Sequence, residues 1–100
     1  MDINVQELKE KISNGSELVL IDVREPYEHD EFNLGGTLIP LGEVTRIFEE
    51  FEDKKTEEVI VYCRSGNRSG MAQQLMKQAG FENVRNLLGG VLAWQENFGS

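Results

Sequence analysis

Cys63 is the only cysteine of this 100-residue chain, and Arg64, Ser65, Gly66, Asn67 and Arg68 follow it directly. A thiol acts as a nucleophile only as the thiolate, which positive charge and hydrogen-bond donors near the sulfur favour. The run VYCRSGNRSGM offers both. Its short polar loop, with glycine at 66, can turn successive backbone N–H groups inward as an anion-binding nest. A helix beginning near Arg68 adds about half a positive charge at its N-terminus, and the two arginines can add more. Such a setting moves a thiol pKa from about 8.5 into the range of roughly 3.5–7.5. The chemistry implied is attack by the Cys63 thiolate, with transfer of a group onto its sulfur. No separate general base is needed. A buried cysteine usually serves as a small hydrophobe, but polar residues and arginines do not surround a core position.

The elements that position this loop follow from hydrophobic periodicity. Asn4 and Glu7 have capping-box spacing, and Val5, Leu8 and Ile12 recur at helical spacing before Asn14-Gly15 ends the helix. Glu17 to Val23 is a nearly continuous apolar run, which suits a strand covered on both faces. Pro26 suits the first turn of a short helix. Gly35-Gly36 leads into a brief strand that Pro40 ends, and Val44, Ile47, Phe48 and Phe51 outline an amphipathic helix. Glu57 to Tyr62 is the second strong strand, with Cys63 at its carboxyl end. Met71, Ala72, Leu75, Met76 and Ala79 predict one face of the following helix, and Gly80 its stop. Val84 to Leu87 then predicts a last strand, and Gly89 to Asn97 a last helix containing Trp94. Alternating strands and helices predict an α/β domain with a parallel sheet, spanning residues 1–100 as one unit. In such a sheet ligands bind beyond the carboxyl ends of the strands, where Cys63 stands.

The net charge of −8 excludes a general nucleic-acid surface, which needs a basic stripe. An anionic substrate would need a local positive pocket, and the acidic body can steer a basic partner. The apolar run Leu18-Val19-Leu20-Ile21 is too short to cross a bilayer, so no membrane association is expected. The N-terminal MDINVQELKE lacks the pattern of a secretion signal, and one cysteine forms no internal disulfide. Cytoplasmic location is the expectation. The sequence contains neither nucleotide-binding glycine fingerprint, and no cofactor is expected. His29, the sole histidine, lies in the acidic run Tyr27-Glu28-His29-Asp30-Glu31; a solvated surface position is expected and no metal site. Glu49 to Asp53 reads as a solvated helix end, and Trp94 as a core residue of the last helix.

CRSGNR, from Cys63 to Arg68, resembles the active-site loop of the rhodanese domain, in its single-domain sulfurtransferase type. LIDVREP (20–26) is similar to that family's second-strand signature, Arg68-Ser69-Gly70 with Ala72 and Leu75 to its post-loop helix, and NLLGGVLAW (86–94) to its ending. The resemblance covers essentially the whole chain. It implies a central parallel sheet of about five strands flanked by helices on both faces. It also implies thiosulfate sulfurtransferase activity: Cys63 would take the outer sulfur of a small anionic donor such as thiosulfate, becoming a persulfide. Cyanide, a thiol or a protein would then accept that sulfur. The loop N–H groups from Arg64 to Arg68, through Ser65, Gly66 and Asn67, would form the cradle. Arg68 would order the loop, Arg64 would face the entering anion, and Asp22 and Arg24 would support the pocket.

Asn33-Leu34-Gly35-Gly36-Thr37-Leu38-Ile39-Pro40 departs from the family's usual Gly-His-Ile-Pro-Gly-Ala type of segment. It resembles rhodanese domains attached to sulfur-carrier adenylyltransferases, which brings in a persulfide relay to a protein partner, with little use of free thiosulfate. Two further classes compete. A phosphatase or arsenate reductase also uses Cys, N–H groups and Arg, but the related phosphatases place five residues between Cys and Arg, against four between Cys63 and Arg68. A non-catalytic docking module of this fold would usually lack the cysteine.

Overall fold

The computed structural model describes residues 1–99. Five α-helices and four β-strands alternate in order α1 (Val5–Ser13), β1 (Val19–Asp22), α2 (Pro26–Glu31), β2 (Thr37–Leu38), α3 (Thr45–Glu50), β3 (Glu58–Tyr62), α4 (Asn67–Gln78), β4 (Asn83–Asn86) and α5 (Gly90–Phe98). The sheet is wholly parallel, with strand order β2-β1-β3-β4. In β1 and β3, Val19 aligns with Val59 and Asp22 with Tyr62, so the two strongest apolar runs form the buried centre. Alternation divides their side chains between two cores. Ile21, Val59 and Val61 pack with Ile47 of α3 and with Ala72 and Met76 of α4. Leu20, Ile60 and Tyr62 pack on the other face with Val5 and Leu8 of α1 and Val91 of α5. Each fully buried aliphatic side chain contributes about 1.5–3 kcal/mol, so the two faces clamp the strands that carry the site.

The sheet has four strands where about five were expected, and Ile3 adds a single parallel bridge to Leu87. The cause is local. The Asn4 side chain caps α1, its Oδ1 accepting from the Glu7 N–H at 2.8 Å, so the chain turns helical before a strand can extend. The reciprocal half of a capping box is not made, because the Glu7 carboxylate is held instead by Arg85 at 2.8 and 2.9 Å.

Two helical faces differ from expectation. The buried face of α4 is Ser69, Ala72, Gln73 and Met76, while Met71 and Leu75 are exposed. Polarity misleads here because the Gln73 amide is satisfied: its Nε2 donates to Val84 O and Asp2 Oδ1. Ile12, on the last turn of α1, is also exposed. Trp94 is half-buried, edge-on to Phe98, with Lys9 above its ring.

At the carboxyl end of β1, Asp22 and Arg24 are buried, at 0% and 3% exposure. Arg24 Nε and its own backbone N–H both donate to Asp22 Oδ1 at 3.0 Å, and a terminal guanidinium nitrogen donates to Oδ2 at 2.9 Å. Arg24 also donates to the carbonyl of Phe32, where α2 ends. His29 is not solvated as expected. It is half-buried, its Nδ1 lying 2.8 Å from Asp22 Oδ2. An ionised carboxylate only accepts, so Nδ1 carries the proton. Asp22 thus fastens α2 to the end of the sheet. Replacing it strands a buried guanidinium, so Asp22→Ala is expected to lower unfolding free energy by about 3–5 kcal/mol in urea denaturation. A loss near zero would contradict this role.

Candidate active site

β3 delivers Cys63 to the carboxyl edge of the sheet, where it is 1% exposed. The loop after it is inverted by α5. The N–H groups of Val91 and Leu92 donate to the carbonyls of Cys63 and Arg64, at 2.9 and 3.0 Å. This close approach requires glycine at 90. Its φ is +59°, and a Cβ there would collide with both of those carbonyl oxygens. With its carbonyls turned toward α5, the loop presents N–H groups to the sulfur instead. Gly66, at φ +104°, donates to Cys63 Sγ at 3.0 Å, and the Ser69 N–H lies at 3.4 Å. That φ favours glycine, because an L side chain there meets its own backbone.

The Ser69 hydroxyl lies 3.3 Å from the sulfur and also touches Asn86 Oδ1. It carries one proton. With Cys63 as thiol, the S–H donates to Ser69 Oγ, which donates to Asn86; with Cys63 as thiolate, the hydroxyl proton turns to the sulfur. Asn86, the last residue of β4, also donates through Nδ2 to the Gly66 carbonyl at 3.0 Å. One buried amide therefore fixes both the glycine and the serine that touch the sulfur. Burial pushes the Cys63 thiol pKa up. The Ser69 hydroxyl and the N–H groups of Ser69, Gly66 and Ser65 outweigh it, and the pKa lies below that of an ordinary thiol.

The two arginines have separate fates. Arg64 is exposed and has no ion-pair partner among the described residues. Arg68, to which the resemblance gave the role of ordering the loop, makes its side-chain hydrogen bonds to α2. Its guanidinium reaches α2, pairing with both carboxylate oxygens of Glu28 at 2.7 and 2.9 Å. That hydrogen-bonded pair pulls the Glu28 pKa down to about 2 against the effect of burial. Tyr27, Glu28, Glu31, Arg64 and Arg68 line an open cleft of about 470 Å³ beside the loop. A cleft of similar size at the opposite end of β1, lined by Leu18, Phe51 and Lys54 among others, holds no nucleophile and is remote from Cys63.

Of the expected cradle, Ser65 and Gly66 turn N–H groups toward the sulfur, whereas Arg64, Asn67 and Arg68 make no N–H bond to it. The side chains of Ser65 and Asn67 are exposed. Asp22 and Arg24 hydrogen-bond to each other, to His29 and to the Phe32 carbonyl, and none of these bonds reaches Cys63. Sequence reasoning did not assign Ser69, Asn86, Glu28 or Gly90. The Gly89-Gly90 pair before a helix was a usable signal for a close approach; nothing local marked Asn86.

A family model described as Rhodanese-like domain matches residues 4–97. A sulfurtransferase of Allochromatium vinosum is 32% identical over 99 residues, covering 93% of this chain and 86% of that protein. A Bacillus subtilis relative named as a sulfur carrier protein, YrkF, is 35% identical over 94 residues, which are 93% of this chain and 50% of that protein. A Mycobacterium tuberculosis relative named as an adenylyltransferase/sulfurtransferase, MoeZ, is 34% identical, with 92% of this chain and 24% of that protein covered. The chain therefore spans half or less of these last two. Among solved structures, a rhodanese-like domain protein from Staphylococcus aureus superposes with a TM-score of 0.83 at 27% identity, covering 94% of this chain and 91% of that one. The human single-domain sulfurtransferase TSTD1 superposes with a TM-score of 0.81 at 25% identity, with 95% of each chain covered. Among the described residues no helix is long and apolar enough to cross a membrane.

Two outcomes follow from this geometry. Ser69→Ala removes the one side-chain donor to the sulfur among the described residues, so the alkylation rate of Cys63 with iodoacetamide near neutral pH is expected to fall several-fold below native; an unchanged rate would contradict the bond. Because folding depresses the Glu28 pKa from 4.5 to about 2, its stabilisation is fully present above 4.5 and is lost as pH falls through about 2. Stability measured between those values is expected to fall less steeply with acid in Glu28→Gln than in the native protein.

Proposed function

The chain belongs to the rhodanese-like domain family, and from that premise we propose that it is a sulfurtransferase that carries sulfane sulfur as a persulfide on Cys63. The observation that carries this reading is the setting of the sulfur, which receives the Gly66 N–H at 3.0 Å and the Ser69 hydroxyl at 3.3 Å beside an open cleft. In the first half-reaction the Cys63 thiolate attacks the outer sulfur of the donor. A new S–S bond forms, the donor's own bond to that sulfur breaks, and the leaving group departs with the electron pair. For thiosulfate the leaving group is sulfite. In the second half-reaction cyanide, a thiol or a protein nucleophile attacks the outer sulfur and the Cys63 thiolate is regenerated. No electrons are gained or lost overall, so no redox partner is required.

Gly66, Ser69 and the loop N–H groups stabilise the sulfur anion in both states, which is electrostatic preorganisation of the kind that dominates many catalytic sites. Arg64, exposed and unpaired, faces the entering donor in this account. A protein acceptor is supported by the names of the YrkF and MoeZ relatives and by the Asn33 to Pro40 segment. Phosphoryl transfer fits less well: the loop is one residue shorter than phosphatases of related fold use, and Arg68 is engaged by Glu28.

Intact mass spectrometry without reductant tests the reading. Treatment with thiosulfate or a persulfide donor is expected to add the mass of one sulfur atom to the native protein and nothing to Cys63→Ala. Cyanide or dithiothreitol is expected to remove it. Absence of the adduct with every donor would refute sulfur transfer through Cys63.

A further inference from the structure

Glu28 lies in α2, outside the thiol loop, yet its carboxylate occupies both terminal guanidinium nitrogens of Arg68, at 2.7 and 2.9 Å. A bidentate pair of this kind is directional and among the strongest charge-assisted contacts. The Glu28 side chain is only 11% exposed, so the pair is shielded on the carboxylate side. The cleft beside Cys63 therefore holds two carboxylates, Glu28 and Glu31, against two guanidiniums, Arg64 and Arg68. One guanidinium is already spent on Glu28. The rest of the chain is acidic, with a net charge of −8. A compact dianion entering this cleft meets one available cation, within a repulsive surrounding field.

The rim has a second character. Tyr27 is 66% exposed and lines the same cleft. Leu92, 40% exposed, lines the adjoining smaller recess together with Arg64 and Arg24. These side chains offer apolar surface to the organic part of a donor, which thiosulfate does not possess.

Resting on the sulfur-transfer reading, we infer that Glu28 is a specificity-determining residue: by holding Arg68 it leaves Arg64 as the cleft's one available cation and selects an organic persulfide over thiosulfate as the sulfur donor. The step balances. The Cys63 thiolate bonds to the terminal sulfur of R–S–S⁻, the R–S to S bond breaks, and R–S⁻ leaves with the electron pair. Cys63 then carries S–S⁻. One negative charge enters and one leaves, which a single arginine matches. With thiosulfate two enter, and sulfite carries two away.

The test compares second-order rate constants for loading of Cys63 by thiosulfate and by cysteine persulfide, whose one net charge lies on its persulfide, in native protein and in Glu28→Gln. The native protein is expected to load faster from cysteine persulfide. Freeing Arg68 adds a unit charge near the entering anion, so Glu28→Gln is expected to raise the thiosulfate-to-persulfide rate ratio by about tenfold. A native preference for thiosulfate, or a ratio unmoved by the substitution, would overturn the assignment of Glu28. The native protein alone provides a further measure. Its loading by thiosulfate is expected to hold or rise as salt increases, since screening weakens a repulsive field. A steep fall with salt would reveal an attractive site and overturn the inference. Failure of both donors to load Cys63 would instead remove the sulfur-transfer reading itself.

Discussion

Two backbone hydrogen bonds set the character of the site: from Val91 to the Cys63 carbonyl and from Leu92 to the Arg64 carbonyl. A strand followed by a loop would otherwise expose both carbonyls and N–H groups around the thiol. With the first turn of α5 taking the carbonyls, the loop's remaining polarity toward the sulfur is positive. Each bond contributes only about 1 kcal/mol, but together they decide the sign of the field at Cys63. The arrangement depends on Gly90, since any side chain there meets the same two carbonyls. It depends equally on parallel β3 and β4, which bring the start of α5 alongside the end of β3. Asn86 completes the fixture from the end of β4 by holding the Gly66 carbonyl, and it takes the Ser69 hydroxyl proton while Cys63 is a thiol.

A second layer controls what reaches the sulfur. Asp22 anchors Arg24 and His29, and Arg24 in turn holds the Phe32 carbonyl at the end of α2. This network places α2, and α2 places Glu28 against Arg68. The buried charges at the end of β1 thus act on the cleft through helix position rather than through contact with a substrate. Arg24 also lies over the ring of Tyr62, whose hydroxyl accepts from the Leu34 N–H at 3.1 Å. Burial raises that phenol to a pKa of about 12, so it stays neutral as a structural anchor of the segment leading to β2. The donors around the sulfur are set by α5 and β4, whereas the wall of the cleft formed by Tyr27, Glu28 and Glu31 is set by β1 and α2.

Element order and the location of the thiol were legible because they rest on local pattern. The apolar runs Glu17 to Val23 and Glu57 to Tyr62 suited buried strands, and Cys63 followed one of them into a glycine-containing loop. Contacts between distant elements were not legible. Arg68 reads as a loop residue until α2 brings Glu28 to it across forty positions. His29 reads as solvated because its neighbours in sequence are acidic, whereas its partner Asp22 belongs to another element. Polarity hid Ser69 and Gln73 from the buried face of α4, since each is satisfied by a group on β4 or beyond. Of the about five strands implied by the resemblance the sheet holds four, and Ile3, just before the Asn4 cap, adds a single bridge to Leu87.

A preorganised cradle, with no separate base, favours the thiolate of Cys63 over the thiol. Ultraviolet titration of the native protein against Cys63→Ser measures this directly, through the thiolate absorbance that only Cys63 can provide. A midpoint clearly below the ordinary thiol value of about 8.5 is the result the cradle predicts. A midpoint at or above that value would mean that burial prevails over the donors from Gly66 and Ser69, and would contradict the account.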